Sequence, residues 1–325
     1  MLLLALLAAE ARGGEKIPVV PAGKDPVVRF AADELSRLLG RIYADSKFLV
    51  RQNVPEAGRA IVLGMSTDSE LIRDAVDAER LSKKDSFVVR TAQSGGRTVG
   101  VIAGQSPRAV LYGVYELLEE LGCGFYLSYN AMPAEEARAF SFKKWDFADR
   151  PLTGDRIVFD WHNFLSSCST WDLSHWRKWI VQAARMRYSG VMVHAYGNNP
   201  MFQFTHNGET KRVGYLATTA RGRDWGTQHV NDVRRLHGGE IFEDPVFGSD
   251  AAKVPPGERV KATRKLMRKA FDEARRRGLD VHFALDVDTR SSNPPEVIET
   301  LPERARFESG GHPLANPDTP EGYAY

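Results

Sequence analysis

The stretch that decides the fold is Gly104-Gln-Ser-Pro-Arg-Ala-Val-Leu-Tyr-Gly-Val-Tyr-Glu-Leu-Leu-Glu-Glu-Leu-Gly-Cys-Gly-Phe-Tyr126. Ser106-Pro107 is a helix start signal, because Ser caps a helix and Pro suits its first position. Gly122 is suited to end the helix. Between them apolar residues recur at helical spacing, namely Val110, Leu111, Val114, Leu117, Leu118 and Leu121. With the apolar run Thr98–Ala103 just before it, this stretch predicts a strand followed by an amphipathic helix.

The same alternation extends towards the N-terminus. Asp25-Pro26 opens a second helix in the same way. Its apolar residues are Val28, Ala31, Leu35, Leu38, Leu39 and Ile42. Further strands are predicted at Ile17–Val20, Phe48–Val50, Ala60–Leu63, Phe87–Arg90 and Ala139–Phe142. Residues 15–149 are therefore expected to form a small α/β domain with its own core.

Arg150-Pro151 marks a domain boundary, after which the alternating strands and helices become longer. Strands are predicted at Arg156–Trp161, Gly190–Tyr196 and Asp280–Val287, with helices at Leu173–Arg187 and Gly257–Arg277. Crossovers of this length favour parallel strands. The expected fold class is α/β, with residues 150–325 as the N-terminal part of a (β/α)8 barrel and a long insert at 197–256. A whole barrel takes about 250 residues, so we expect the chain to stop before the barrel is complete.

Polar side chains gather where these three strands end. Alternation places Val281, Phe283 and Leu285 on an apolar face under the helices, with His282 and Asp286 towards the barrel axis. Active sites of such barrels lie at the C-terminal ends of the strands. The candidate residues there are Asp160, Trp161, His162, Asn163, His194, Tyr196, Asn198, Asn199, Asp286 and Asp288.

This set is typical of a site for a polyhydroxylated ligand, because carboxylates, amides and imidazoles bind hydroxyls while aromatic rings stack on sugars. The alternative is a set of hydrogen-bonded barrel residues and helix caps. The insert adds Trp225 and His229, which either wall a sugar subsite or form the core of the insert. Asn207-Gly208 within it predicts a tight β-hairpin.

The quoted stretch resembles the end of the accessory α/β domain that precedes the catalytic barrel in alpha-glucuronidases and beta-N-acetylhexosaminidases. In those families a strand ending in Gly is followed by a helix that begins Pro-Arg, and an Arg-Pro boundary opens the barrel. The resemblance implies a glycoside hydrolase, with Asp286 and Asp288 as candidate catalytic carboxylates. Such enzymes usually take the general acid from the fourth or a later strand, so we expect the main acid to be missing here.

Other chemistries are less well supported. The chain has 44 Lys+Arg and 42 Asp+Glu, so it lacks the basic field of a nucleic-acid-binding protein. Gly95-Gly96 misses the dinucleotide spacing, and we expect no cofactor. Asp160 and His162 with His194 are residue types that bind zinc, but paired histidines on the first strand are lacking, and we expect no metal. The oligomeric state stays open.

The N-terminal run Met1–Ala9 is apolar, but a bilayer span takes about 20 apolar residues, so no membrane insertion is expected. With Ala9-Glu10-Ala11 as a cleavage site, residues 1–14 resemble a secretory signal without its basic region. We expect a secreted or periplasmic protein. In such a compartment a disulfide between Cys123 and Cys168 is chemically allowed.

The sequence therefore predicts an exported glycoside hydrolase with a polysaccharide or oligosaccharide substrate, carrying a uronic acid or an N-acetylhexosamine. Two alternatives remain open at this point. One is a non-catalytic carbohydrate-binding surface protein, and the other is a metal-dependent barrel hydrolase.

Overall fold

The computed structural model describes residues 14–133, 139–143, 145–160, 171–196, 203–211, 255–286 and 294–325. The chain forms two compact units. Unit 1 comprises Met1–Arg156 with Val181–Ser189 and Arg275–Leu279, and unit 2 comprises Ile157–Ile180, Gly190–Ala274 and Asp280–Tyr325.

Unit 1 is built on a six-stranded sheet. The strands are β1 Glu15–Pro21, β2 Ser46–Val50, β3 Arg59–Gly64, β4 Phe87–Ser94, β5 Arg97–Gly104 and β8 Asp146–Asp149. Their order in the sheet is β2-β1-β3-β5-β4-β8. Strands β1, β2, β3 and β5 are parallel, whereas β4 runs antiparallel to both β5 and β8. A separate two-stranded hairpin pairs β6 Gly124–Phe125 with β7 Asn130–Ala131.

The two predicted helices of unit 1 are confirmed, together with their caps. Helix α1 is Pro26–Ile42, and the Val27 amide donates to the Asp25 carboxylate at 2.8 Å. Helix α3 is Pro107–Glu120, and the Ala109 amide donates to Ser106 Oγ at 3.2 Å. A short helix, α2 Glu70–Ala75, was not predicted, because a segment of six residues shows little periodicity.

The predicted strand Ala139–Phe142 is wrong. The last strand of the sheet is Asp146–Asp149, and the Phe140 and Phe142 rings instead cluster edge-to-face with Trp145. All three rings are buried. Apolar residues two apart fit a strand as well as a segment that covers a sheet, so alternation alone did not separate the two.

Unit 2 contains a three-stranded parallel sheet, whose strands are β9 Ile157–Asp160, β10 Gly190–Tyr196 and β13 Asp280–Asp286. Their order in the sheet is β13-β10-β9. Helix α4, Leu173–Arg185, follows β9, and helix α5, Pro256–Arg275, precedes β13. The α/β fold class is thereby confirmed, with the predicted parallel pairing.

The burial of one face of this sheet differs from the prediction. Val191 and Val193 are buried, but Phe283 and Leu285 in the neighbouring strand are 46% and 39% exposed. The prediction that these two residues pack under the helices is therefore wrong. In the described part of the chain β13 has a strand partner on one side only, and its large side chains are correspondingly less covered.

The Asn-Gly hairpin in the insert is confirmed. Strands β11 Thr205–His206 and β12 Glu209–Thr210 flank Asn207 and Gly208, whose φ angles of 50° and 83° are those of a type I′ turn. The end of the chain adds helix α6 Pro295–Ile298, strands β14 Arg306–Ser309 and β15 His312–Ala315, and helix α7 Pro320–Ala324.

Candidate functional site

The candidate site lies at the C-terminal end of the three-stranded sheet in unit 2. Tyr196 ends β10 and is in register with Asp286, the last residue of β13. Asp160, the last residue of β9, is in register with Val193. The polar positions 196 and 286 therefore share one level of the sheet, while position 160 lies three residues earlier.

His194 is the predicted site residue whose surroundings are described most fully. It is only 6% exposed and sits in β10 between Val193 and Ala195. The Phe159 ring meets its imidazole edge-to-face, with centroids 6.2 Å apart and an interplanar angle of 81°. A histidine this enclosed has a ring orientation that its neighbours fix.

Phe159 is a residue that the sequence analysis did not include in the site. Alternation along one strand sorts residues into two faces but does not say which face meets which face of the next strand. The register between the strands shows which faces coincide. Phe159 pairs with Met192, two residues before His194, so all three lie on one face of the sheet. At 40% exposure its ring is accessible enough to contact a ligand.

His282 belongs to the same face. It is in register with Met192, and Ala284 is in register with His194. The described residues of this face thus combine two imidazoles with an aromatic ring, a set able to bind hydroxyl groups and an apolar ring surface.

The other predicted site residues stay predictions. Asp160, Tyr196 and Asp286 are placed by their backbone alone. Outside the described residues lie Trp161, His162, Asn163, Asn198, Asn199, Trp225, His229 and Asp288.

The described ranges contain no group of three or more His, Cys, Asp or Glu side chains placed to hold a metal ion. Within the same ranges no helix has the length and apolar character needed to cross a membrane. Cys123 is buried with a free thiol, and burial raises its pKa to about 11. Cys168, its possible disulfide partner, is not among the described residues.

Residues 11–117 match a protein-family model described as Glycosyl hydrolase family 67 N-terminus. The match lies within unit 1 and ends inside helix α3. It supports a carbohydrate-active function for the protein. A comparison with curated protein sequences found no match.

Several solved structures are similar to the chain at low identity. The GH20 beta-N-acetylhexosaminidase from Streptomyces coelicolor A3(2) is 12% identical with a TM-score of 0.47 over 97% of this chain. A GH115 4-O-methyl-alpha-glucuronidase with specificity for decorated arabinogalactans is 17% identical with a TM-score of 0.43 over 83%. A GH138 enzyme targeting pectin rhamnogalacturonan II is 13% identical with a TM-score of 0.45 over 86%.

The chain spans only part of the length of these structures. It covers 51% of the beta-N-acetylhexosaminidase, 42% of the alpha-glucuronidase and 26% of the GH138 enzyme.

Proposed function

We propose that this chain is part of a glycoside hydrolase that acts on a polysaccharide or oligosaccharide carrying a uronic acid or an N-acetylhexosamine. The observation that carries the proposal is the match of residues 11–117 to the family 67 N-terminus. In this proposal residues 15–149 form an accessory domain, and residues 150–325 form the first part of a (β/α)8 barrel with an insert at 197–256.

The substrate sits at the strand ends of unit 2. His194 hydrogen bonds to a sugar hydroxyl, and Phe159 contacts the apolar face of the same ring. Asp286 and Asp288 are the candidate carboxylates. The enclosed imidazole and its edge-to-face contact with Phe159 support this assignment, because both groups hold a fixed position before a ligand arrives.

Glycoside hydrolysis normally requires two carboxyl groups, about 5–5.5 Å apart for retention of configuration and about 6.5–9.5 Å apart for inversion. Two carboxylates only two residues apart in the chain do not suffice for both roles, so we place the general acid elsewhere in the enzyme. We further propose that the protein is secreted or periplasmic, on the basis of the apolar run Met1–Ala9.

The test uses the 325-residue chain. Binding of uronosyl and N-acetylhexosaminyl oligosaccharides is measured by titration calorimetry, and bond cleavage by release of reducing ends. We expect binding that His194→Ala weakens at least tenfold and that His194→Asn weakens less. Asp286→Asn is expected to abolish any turnover while leaving binding within threefold.

His312→Ala is the matched control, because His312 lies in β15 of the same unit and should leave binding unchanged. Cleavage that Asp286→Asn abolishes would favour the hydrolase over the non-catalytic carbohydrate-binding alternative, whereas binding without cleavage fits both, because we place the general acid elsewhere in the enzyme. The proposal fails if no oligosaccharide binds, or if the His194 variants, shown to be folded by circular dichroism, bind as the unchanged chain does.

A further inference from the structure

The β6–β7 hairpin of unit 1 carries an exposed aromatic pair. Phe125 pairs with Asn130 across the hairpin, and the Tyr126 amide donates to the Tyr129 carbonyl at 3.0 Å as the next rung. Tyr126 and Tyr129 are therefore opposite each other. Their rings stack with centroids 4.7 Å apart and an interplanar angle of 23°.

The two faces of this hairpin are very different. Phe125 is buried and meets the Tyr115 ring edge-to-face at 5.4 Å. On the other face Tyr126 and Tyr129 are 46% and 59% exposed. Alternation puts the small residues Gly124 and Ala131 beside them, so this face carries a stack of two rings with small neighbours.

Gly124 makes room for the first ring. A Cβ at this position would lie 3.0 Å from Tyr126 Cε2 and 3.2 Å from its hydroxyl oxygen. It would also lie 3.4 Å from the Ala131 methyl carbon. The Tyr126 ring thus lies back over the hairpin strand, with Tyr129 stacked on it, and does not project freely into solvent.

Gln182 holds the turn in place. Its side-chain amide donates to the Tyr126 and Tyr129 carbonyls and to Asn130 Oδ1, the last two at 3.0 Å. Gln182 is itself buried and accepts a hydrogen bond from Arg185 Nη1 at 2.7 Å. The backbone under both rings is therefore fixed from below, so that a ligand meeting them orders few new groups.

Two adjacent exposed tyrosines form a small apolar patch with polar edges, because each ring is apolar and each hydroxyl is polar. A pyranose ring has the matching chemistry: an apolar C–H face that packs on an aromatic ring and hydroxyl groups that hydrogen bond to phenol oxygens. The outward ring face of a pre-ordered stack suits an extended polysaccharide better than a small molecule, which would need a concave pocket.

We infer that Tyr126 and Tyr129 form a carbohydrate-binding platform in unit 1 that holds a polysaccharide chain by ring stacking, in addition to the strand-end site of unit 2. The choice of carbohydrate as ligand rests on the proposed function. The position and the mode of binding rest on the hairpin alone.

The experiment is native gel electrophoresis of the 325-residue chain in gels containing glucuronoxylan, arabinogalactan, pectin or glycol chitin. We expect at least one polysaccharide to slow the chain. Tyr129→Ala and Tyr126→Ala should each raise the apparent dissociation constant at least fivefold, whereas Tyr129→Phe, which keeps the ring, should stay within twofold. Tyr323→Ala is the control, because Tyr323 is a more exposed tyrosine, at 83%, in unit 2.

Two results would overturn the platform: no polysaccharide slows the chain, or the Tyr126→Ala/Tyr129→Ala variant is slowed as much as the unchanged chain. The second result combined with loss of retardation in His194→Ala would assign binding to the strand ends and leave the proposed function intact. Conversely, loss in the tyrosine variants with no effect of His194→Ala supports the platform and counts against the strand-end site.

Discussion

Glu34 and Arg185, 151 residues apart in the chain, form a buried ion pair in unit 1. Arg185 Nε donates to Glu34 Oε2 at 2.9 Å, and Arg185 Nη2 donates to Oε1 at 3.2 Å. Arg37 and the Tyr115 hydroxyl donate to the same carboxylate. Arg185 also donates to Gln182, and Gln182 in turn donates to the β6–β7 hairpin. The ion pair therefore anchors the hydrogen bonds that hold this hairpin.

Removal of the Glu34 carboxylate should destabilise the protein strongly. Glu34→Ala leaves Arg185 buried without its charge partner, which typically costs about 3–5 kcal/mol. The free energy of unfolding in urea measures this. Glu70→Ala is the matched control, because the Glu70–Arg73 pair is exposed and should change stability by about 1 kcal/mol or less. Equal losses of unfolding free energy in the two variants would contradict a strongly stabilising role for the Glu34–Arg185 pair.

The same pair predicts a loss of stability in acid. Burial acts to raise the pKa of Glu34, but the hydrogen bonds and charges of Arg185 and Arg37 outweigh it, and the pKa lies below its usual value of 4.5. A carboxyl with a lowered folded-state pKa stabilises the fold fully above its unfolded pKa. This contribution is lost as pH falls from about 4.5 through the folded value.

The check is a series of urea titrations between pH 3 and pH 7 on the unchanged chain and on Glu34→Gln. We expect the difference in unfolding free energy between the two to shrink steadily below pH 4.5. A difference independent of pH over this range would show that Glu34 does not titrate as its partners require.

The boundaries of the main helices and strands could be predicted because their signals are local. The Asp25 and Ser106 caps act on amides two or three residues away, and Gly122 adopts a φ of 97° at the end of its helix. Parallel pairing followed from crossover length alone. The Phe140 and Phe142 segment was misassigned because its partners, including Trp145 and the sheet face at Gly100, come from packing in three dimensions.

For the candidate site, position was more predictable than composition. The strand ends followed from the strands, but the contact between Phe159 and His194 depends on the register between β9 and β10, which no pattern within one strand contains. The tyrosine platform was missed for a similar reason. Tyr126 and Tyr129 become a pair only because a two-residue turn puts them opposite each other.

Gly100 should tolerate no side chain. A Cβ there would lie 2.4 Å from Trp145 Cζ3 and 2.5 Å from Phe142 Cε1, and both rings are buried and bulky. We expect Gly100→Ala to cost about 1–3 kcal/mol through overpacking. Gly40→Ala is the control: a Cβ at Gly40, in helix α1, meets nothing within 4 Å, so this change should stabilise by about 0.5–1 kcal/mol. Thermal unfolding compares the two, and equal shifts of Tm would refute the packing argument.

Lys211 offers the last test, because its charge is buried in unit 2. The side chain is 1% exposed, and its ammonium group lies 6.0 Å from the centre of the Phe204 ring. Burial lowers its pKa from 10.5 to about 7, partly opposed by Glu296. Between these two pH values the unfolded chain binds more protons than the folded chain, so stability should rise as pH increases from 7 to 10.5.

Lys211→Met replaces this buried charge with an apolar side chain of similar length. At pH 6 we expect the variant to be more stable by about 1–4 kcal/mol, and this advantage should shrink towards pH 9.5. Urea titrations at the two pH values measure it, with Lys47→Met as the control, because Lys47 is exposed in β2. An advantage that is the same at both pH values would mean that Lys211 does not lose its proton in the folded state near pH 7, and that Glu296 compensates for its burial.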